Sequence, residues 1–125
     1  MINLFFFTLI VTFLISRSWA YFGYRSNNYF DKKENPHTLT GWLRIKTGFD
    51  WHLIHFGVII FFIASLLIYS NGFNPINKII LGISSSIILD QIFPLVGNWN
   101  YFSKKMFTIS LLLHMITAIL VVSVV

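Results

Sequence analysis

Three histidines and one aspartate lie inside or at the edge of long apolar segments, and these residues are the best placed to do chemistry. His52 and His55 stand at the start of the apolar run that opens with "FDWHLIHFG", while Asp90 and His114 lie within later runs. An ionisable group inside a membrane span costs at least about 2.5 kcal/mol and usually faces a partner or a cavity. Imidazoles combined with a carboxylate are also a common ligand set for Zn, Cu or Fe.

The residue pattern leaves three uses of these side chains open. The first is one divalent transition metal (Zn, Cu or Fe) bound by His52, His55 and Asp90, with His114 or Gln91 as a further ligand. His52 and His55 are three residues apart and therefore share a helix face. The second is a hydrogen-bonded pair between Asp90 and a histidine that fixes helix register without a metal. In the third, His52 is an interfacial anchor in contact with lipid or water.

The composition is typical of a membrane protein. Of the 125 residues, 56% are hydrophobic and 10% are charged, which is more apolar surface than a small soluble domain can bury. The absence of cysteine excludes disulfides, Fe–S clusters and thiolate metal sites. Four acidic residues leave little room for paired-carboxylate catalysis, and the chain has no G-x-S-x-G, P-loop or H-E-x-x-H motif. We therefore expect no catalytic residues. Most of the basic residues lie in one segment and are not spread over a nucleic-acid-binding face, so we also expect no nucleic-acid partner.

Four apolar segments are each long enough, at about 20 residues, to cross the hydrocarbon core as helices. They cover approximately residues 2–20, 51–69, 76–96 and 106–125. The short links "SNGFNP" and "GNWNYFSKK" make successive spans antiparallel neighbours. The sequence therefore predicts one all-α integral membrane domain over residues 1–125, a four-transmembrane-helix antiparallel bundle. The stretch "SRSWA" imitates a signal-peptidase site, but no positive charge precedes the first apolar run, so we expect a retained span.

The loop at residues 21–50 and its flank hold most of the positive charge. Six of the nine Lys and Arg lie there: Arg17, Arg25, Lys32, Lys33, Arg44 and Lys46. The positive-inside rule predicts that this loop is cytoplasmic and that both termini lie outside the cell membrane, with Arg17 snorkelling toward the interface. Within the loop, Leu39, Trp42, Leu43 and Lys46 have helical spacing, which predicts a short interfacial helix or turn at the headgroups. A β-like excursion through "LRIKTG" is the alternative.

Small and polar residues recur at helical spacing in three of the spans. In chain order these stripes are Thr8, Thr12 and Ser16; Lys78, Gly82, Ser86, Asp90 and Pro94; and Ser110, His114 and Thr117. Such residues let helices approach closely and hydrogen-bond in lipid, so we expect the stripes to face the inside of the bundle. Bonding of each hydroxyl to its own helix backbone is the alternative.

The third-span stripe has a predicted neighbour. At about 1.5 Å of rise per residue, Asp90 lies at nearly the depth of His55. We therefore expect the face that carries Gly82 and Asp90 to meet Gly57 and His55 of the preceding span, with an imidazole as the partner of the Asp90 carboxylate.

Residues 43–93 resemble a loose group of small archaeal multi-spanning membrane proteins. The resemblance rests on "RIKTGFDWHLIHFGVIIF" and the later "GISSSIILDQI"; in that group a basic stretch precedes a histidine-rich helix start, and a later Gly-rich helix ends in Asp-Glu. The residues to which the resemblance carries over are His52, His55, Gly57 and Asp90. The chain departs at Leu53, where the group often has histidine, and at Gln91, where it often has Glu. Both departures remove possible ligands, which weakens a metal-enzyme interpretation.

The expected partners are the lipid bilayer and other membrane subunits, or further copies of the chain. The small size, the incomplete ligand set and aromatic outer faces such as Phe5–Phe7 and Phe61–Phe62 favour an accessory or structural subunit of a larger membrane-embedded complex. An archaeal copper membrane monooxygenase, an oxidoreductase, is the complex that we expect. The alternative is a metal-binding membrane protein or metal-dependent membrane enzyme that uses His52, His55 and Asp90.

Overall fold

Every regular element in the computed structural model is an α-helix within the residues that it describes, which are 3–25, 39–48, 52–96 and 104–122. The helices are α1 (Leu4–Arg25), α2 (Leu39–Thr47), α3 (Leu53–Asn71), α4 (Pro75–Val96) and α5 (Lys104–Val122). The all-α prediction is confirmed for these residues, and each of the four apolar segments forms a helix. The β-like alternative for "LRIKTG" is wrong, because α2 continues to Thr47.

Two helices in the described part of the chain are long and apolar enough, by length and composition, to cross a membrane. They are α3, over Leu53–Asn71, and the Lys104–Val121 part of α5. The apolar part of α1 is shorter, over Leu4–Ser18. Helix α4 carries Lys78, Asp90 and three consecutive serines, which lower its hydropathy. Within the described residues, length and composition therefore support two of the four predicted spans.

Helix α4 is the central helix of the fold. It packs along α1 and α3 and also contacts α5, which in turn contacts α1. Helix α1 runs parallel to α4, because Thr8 lies beside Gly82 while Arg17 reaches Asp90. Helices α3 and α5 run antiparallel to α4. This is the alternating order that short links between consecutive helices require.

The α3–α4 turn depends on Gly72 and two asparagines. Gly72 has φ 74°, in the left-handed region that glycine adopts readily, and its N–H donates to the last turn of α3. Asn74 Oδ1 accepts from the Asn77 N–H at 2.9 Å and so caps the start of α4. The buried Asn77 amide donates to the carbonyls of Leu67 and Gly72. The prediction that these two helices are antiparallel neighbours is confirmed.

The apolar core lies between α1, α4 and α5. Helix α1 contributes Phe5, Leu9 and Phe13, which are four residues apart and almost fully buried. The prediction that Phe5–Phe7 forms an outer face is therefore wrong for Phe5, while Phe6 and Phe7 are exposed. Phe5 and Leu9 cluster with Ala118 of α5. The buried face of α1 is thus centred one residue beyond the predicted Thr8 stripe, because large apolar side chains fill the core and the hydroxyl groups lie at its edge.

Two glycines let α4 approach the helices on either side of it. A Cβ on Gly82 would lie 2.9 Å from Cβ of Thr8 and 3.0 Å from the carbonyl oxygen of Phe5, both on α1. A Cβ on Gly57 of α3 would lie 2.7 Å from Cγ2 of Ile87. The prediction that the Gly82 face meets Gly57 is therefore wrong. Gly82 and Ile87 are five residues apart, which places them about 140° apart around the helix.

Candidate functional site

Asp90 lies at the centre of a buried polar contact between three helices. Its side chain is 1% exposed, and Oδ1 accepts from Nε of Arg17 at 2.8 Å and from Oγ of Ser110 at 2.6 Å. Arg17 belongs to α1 and is itself only 10% exposed, whereas Ser110 belongs to α5. The two opposite charges are therefore withdrawn from solvent together, and each compensates the other through a charge-assisted hydrogen bond.

The partner of Asp90 Oδ1 is a guanidinium where the sequence predicted an imidazole. Arginine stays protonated in proteins and offers rigid N–H donors, whereas the charge of histidine depends on pH. An arginine therefore compensates a buried carboxylate under all physiological conditions. The sequence does contain a signal for this pair, because Arg17 follows the buried Phe13 by four residues and so lies on the same face of α1. The interpretation of Arg17 as a snorkelling residue is corrected by its burial.

His114 extends the polar contact one turn along α5. The side chain is fully buried, with Nδ1 2.7 Å from the carbonyl oxygen of Ser110 and Nε2 2.8 Å from Oγ of Ser86. A carbonyl oxygen can only accept, so Nδ1 carries a proton, and in the neutral ring Nε2 accepts from the Ser86 hydroxyl. Nε2 thus joins α5 to α4, while Nδ1 bonds to the backbone of α5 itself. Ser110 links this contact to Asp90 through its hydroxyl.

Aromatic rings from α1 and α5 cover one side of these polar groups. The ring of Phe13 lies 4.6 Å from the His114 ring and 5.5 Å from the Phe107 ring, measured between centroids. Cζ of Arg17 lies 5.9 Å from the centroid of Phe107, within the range of a cation–π contact. Apolar contacts of this kind lower the local dielectric around the buried polar groups, which strengthens their hydrogen bonds.

His52 and His55 lie together at the start of α3. Their ring centroids are 5.9 Å apart, and both side chains are half-buried. Nδ1 of His55 accepts from the backbone N–H of His52 at 2.9 Å, which is one half of a capping box at a helix start. His55 therefore has a local structural role in α3 that does not need a metal.

The four predicted metal ligands fall into two sets. Asp90 and His114 belong to the contact between α1, α4 and α5, whereas His52 and His55 begin α3. Within the described ranges no group of three or more His, Cys, Asp or Glu is arranged to hold a metal ion. A single divalent ion bound by all four residues stays a prediction. Its imidazole and carboxylate ligands would suit Zn, Cu or Fe.

The fold and the site define a helical protein with a charge-paired interior and, among its described residues, two helices that are long and apolar enough to cross a membrane. No protein-family model, curated protein or solved structure matches the chain. The resemblance of residues 43–93 to small archaeal membrane proteins therefore stays a prediction.

Proposed function

We propose that the chain is a small, non-catalytic subunit of a larger membrane-embedded complex, with α1, α3, α4 and α5 as four antiparallel spans. The observation that carries the proposal is the division between a hydrogen-bonded polar interior and an apolar exterior. Arg17, Asp90 and His114 each contact another helix through defined hydrogen bonds. Ionisable groups that are used in this way fix the positions of helices relative to one another.

Helix α3 offers the surface that we assign to a partner. Only 17% of its candidate spanning window is buried, and α4 is the helix against which it packs. The exposed large side chains on α3 include Val58, Ile59, Phe61, Phe62, Ile63 and Leu66. Aromatic side chains are enriched at protein interfaces, which supports a partner helix at this face.

Among membrane complexes we propose an oxidoreductase, and specifically an archaeal copper monooxygenase. The support for this choice is the resemblance of residues 43–93 to small archaeal membrane proteins, together with the small size of the chain. We further propose that the cytoplasm holds residues 21–50 and that both termini lie outside. The support for this orientation is the excess of Lys and Arg in the first connection.

Native mass spectrometry after gentle solubilisation of a tagged chain tests the subunit proposal. We expect the 14.6 kDa chain to be recovered with additional subunits. Phe62→Ala should weaken this association, because Phe62 is 66% exposed on α3. Leu112→Ala is the matched control, because Leu112 is similarly exposed but lies on α5. Recovery of a monomer or homo-oligomer with no other subunit would refute the proposal.

A second candidate function is a metal-binding membrane protein or a metal-dependent membrane enzyme. The observation that favours it is the 5.9 Å between the rings of His52 and His55, since two imidazoles on one tetrahedral ion have centroids about 5 Å apart. Elemental analysis should then find about one metal per chain. His55→Ala and Asp90→Ala should each release that metal, while His37→Ala should not. Metal retained in both variants would contradict this function.

A further inference from the structure

Helix α2 carries an apolar face that is open to its surroundings. The side chains of Leu39, Trp42 and Ile45 are 63%, 46% and 50% exposed, and Lys46 is exposed beside them. At 100° per residue these four side chains lie within an arc of about 120°. We call this arc the α2 open face. Helix α2 packs extensively against none of the other four described helices.

The chain connectivity holds α2 near the start of α3. Helix α2 ends at Thr47 and α3 begins at Leu53, so the six residue steps between them reach at most about 22 Å. Helix α3 is one of the two helices that are long and apolar enough to cross a membrane. When α3 is inserted, its first turn marks the membrane boundary, and α2 must lie close to that boundary.

The charge of α2 indicates which kind of surface its open face would meet. The helix contains Arg44 and Lys46 and no acidic residue. Lys46 lies within the open face, whereas Arg44 is half-buried on a different side of the helix. A lysine among apolar side chains can extend its ammonium group to the lipid phosphates while its methylene chain stays in contact with the bilayer.

We propose that the α2 open face binds anionic phospholipid at the headgroup layer of the membrane. Leu39 and Ile45 enter the outer acyl region, Trp42 lies at the interface, and Lys46 contacts a headgroup phosphate. This arrangement removes three large apolar side chains from water and gives Lys46 a counter-charge. The inference rests on the membrane insertion of α3 in the proposed function, but not on the existence of a partner subunit.

Fluorescence quenching of Trp42 tests this inference on the full chain. A variant with Trp19→Phe, Trp51→Phe and Trp99→Phe keeps Trp42 as its one tryptophan. It is reconstituted into phosphatidylcholine vesicles with phosphatidylglycerol as the minor component, and one of the two lipids carries bromine on its upper acyl chain. We expect brominated lipid to quench Trp42 and aqueous iodide to quench it weakly. Brominated phosphatidylglycerol should show a local enrichment of up to about fivefold over its mole fraction.

Variants of the two basic residues show whether Lys46 selects the lipid. In Lys46→Gln the local fraction of phosphatidylglycerol around Trp42 should fall to its mole fraction in the vesicle. Lys46→Arg should retain the enrichment. Arg44→Gln is the matched control and should also retain it, because Arg44 lies outside the open face. Native mass spectrometry of the chain with all its tryptophans should show the same loss of retained phosphatidylglycerol in Lys46→Gln, which keeps the test valid if the tryptophan variant does not fold.

Three results would overturn the inference. They are strong quenching of Trp42 by iodide, quenching by the two brominated lipids in proportion to their mole fractions, and protection of Trp42 from both quenchers, which would place protein on the open face. Extraction of the chain by alkaline carbonate would overturn membrane insertion itself. That result would contradict the proposed function, and so it is distinguishable from a failure of lipid binding alone.

Discussion

Deletion of the Asp90 carboxylate tests whether the buried ion pair holds α1, α4 and α5 together. In Asp90→Leu the guanidinium of Arg17, which is 10% exposed, loses this counter-charge, and Ser110 loses its acceptor. Removal of one member of a buried pair typically costs about 3–5 kcal/mol. We expect the free energy of unfolding to fall by about this amount, because the remaining charge stays in a low-dielectric environment.

A double-mutant cycle separates the pair from the two individual side chains. Arg17→Met should also destabilise the protein, since it leaves the Asp90 carboxylate buried without its guanidinium. The double variant Arg17→Met/Asp90→Leu should recover most of the loss, because well-packed apolar side chains often replace a buried ion pair at little cost. We expect a coupling energy of at least about 2 kcal/mol between the two sites.

Reversible unfolding in mixed micelles, followed by the loss of helical circular dichroism as the fraction of dodecyl sulfate rises, measures these free energies. Ser65→Ala is the control, because Ser65 is exposed on α3 and bonds to its own helix. Its effect should stay within about 0.5 kcal/mol. If the two single losses add within about 0.5 kcal/mol in the double variant, the residues are not coupled and the reasoning is refuted.

Three further predictions follow from the helix contacts and the charge distribution. Gly82→Ala should lower the free energy of unfolding by about 1–3 kcal/mol, because its Cβ would lie 2.9 Å from α1; unchanged stability would contradict the close approach. His114→Leu should cost about 1–3 kcal/mol, and adding Ser86→Ala should cost less than the sum of the two changes, which the same titration measures. A cysteine at Asn35 should react with an impermeant maleimide from the cytoplasmic side and one at Asn71 from outside; the reverse pattern would contradict the orientation.

The burial of four stripe residues on α4 and α5 could be predicted from the sequence, whereas Thr8, Thr12 and Ser16 of the α1 stripe are only half-buried. Ser86, Asp90, Ser110 and His114 are all buried, as their predicted position inside the bundle requires, and in the structure their hydrogen bonds join α4 to α5. The physical reason is that buried polar groups need partners, and each of these side chains finds one on the helix opposite. The alternative that these hydroxyl groups bond only to their own helix is wrong for Ser86 and Ser110.

The rotation of α4 about its own axis could not be predicted from the sequence. A short link makes α3 and α4 neighbours but leaves open which face of α4 the link turns toward α3. In the structure the small Gly57 of α3 lies against the large Ile87 of α4. The small residue of α4, Gly82, is then available to α1.

The sequence places the end of α1 too early, which hides the role of Arg17. The apolar run suggested a span that ends near residue 20, which puts Arg17 at its edge. Helix α1 instead continues to Arg25, so Arg17 lies two turns inside the helix and on the face of Phe13. A charged residue at that position needs a buried counter-charge, and Asp90 supplies it.

The ion pair with Arg17 also opposes the binding of a metal ion by Asp90. Oδ1 already accepts two hydrogen bonds, one of them from a guanidinium at 2.8 Å. A divalent cation on the same carboxylate would lie within a few ångströms of that positive charge and would be repelled by it. If the chain binds a metal through Asp90, Arg17→Met should therefore raise its affinity for the metal, as titration with Zn²⁺ or Cu²⁺ would measure. If the carboxylate serves only to position helices, the same variant should lose stability and gain no affinity.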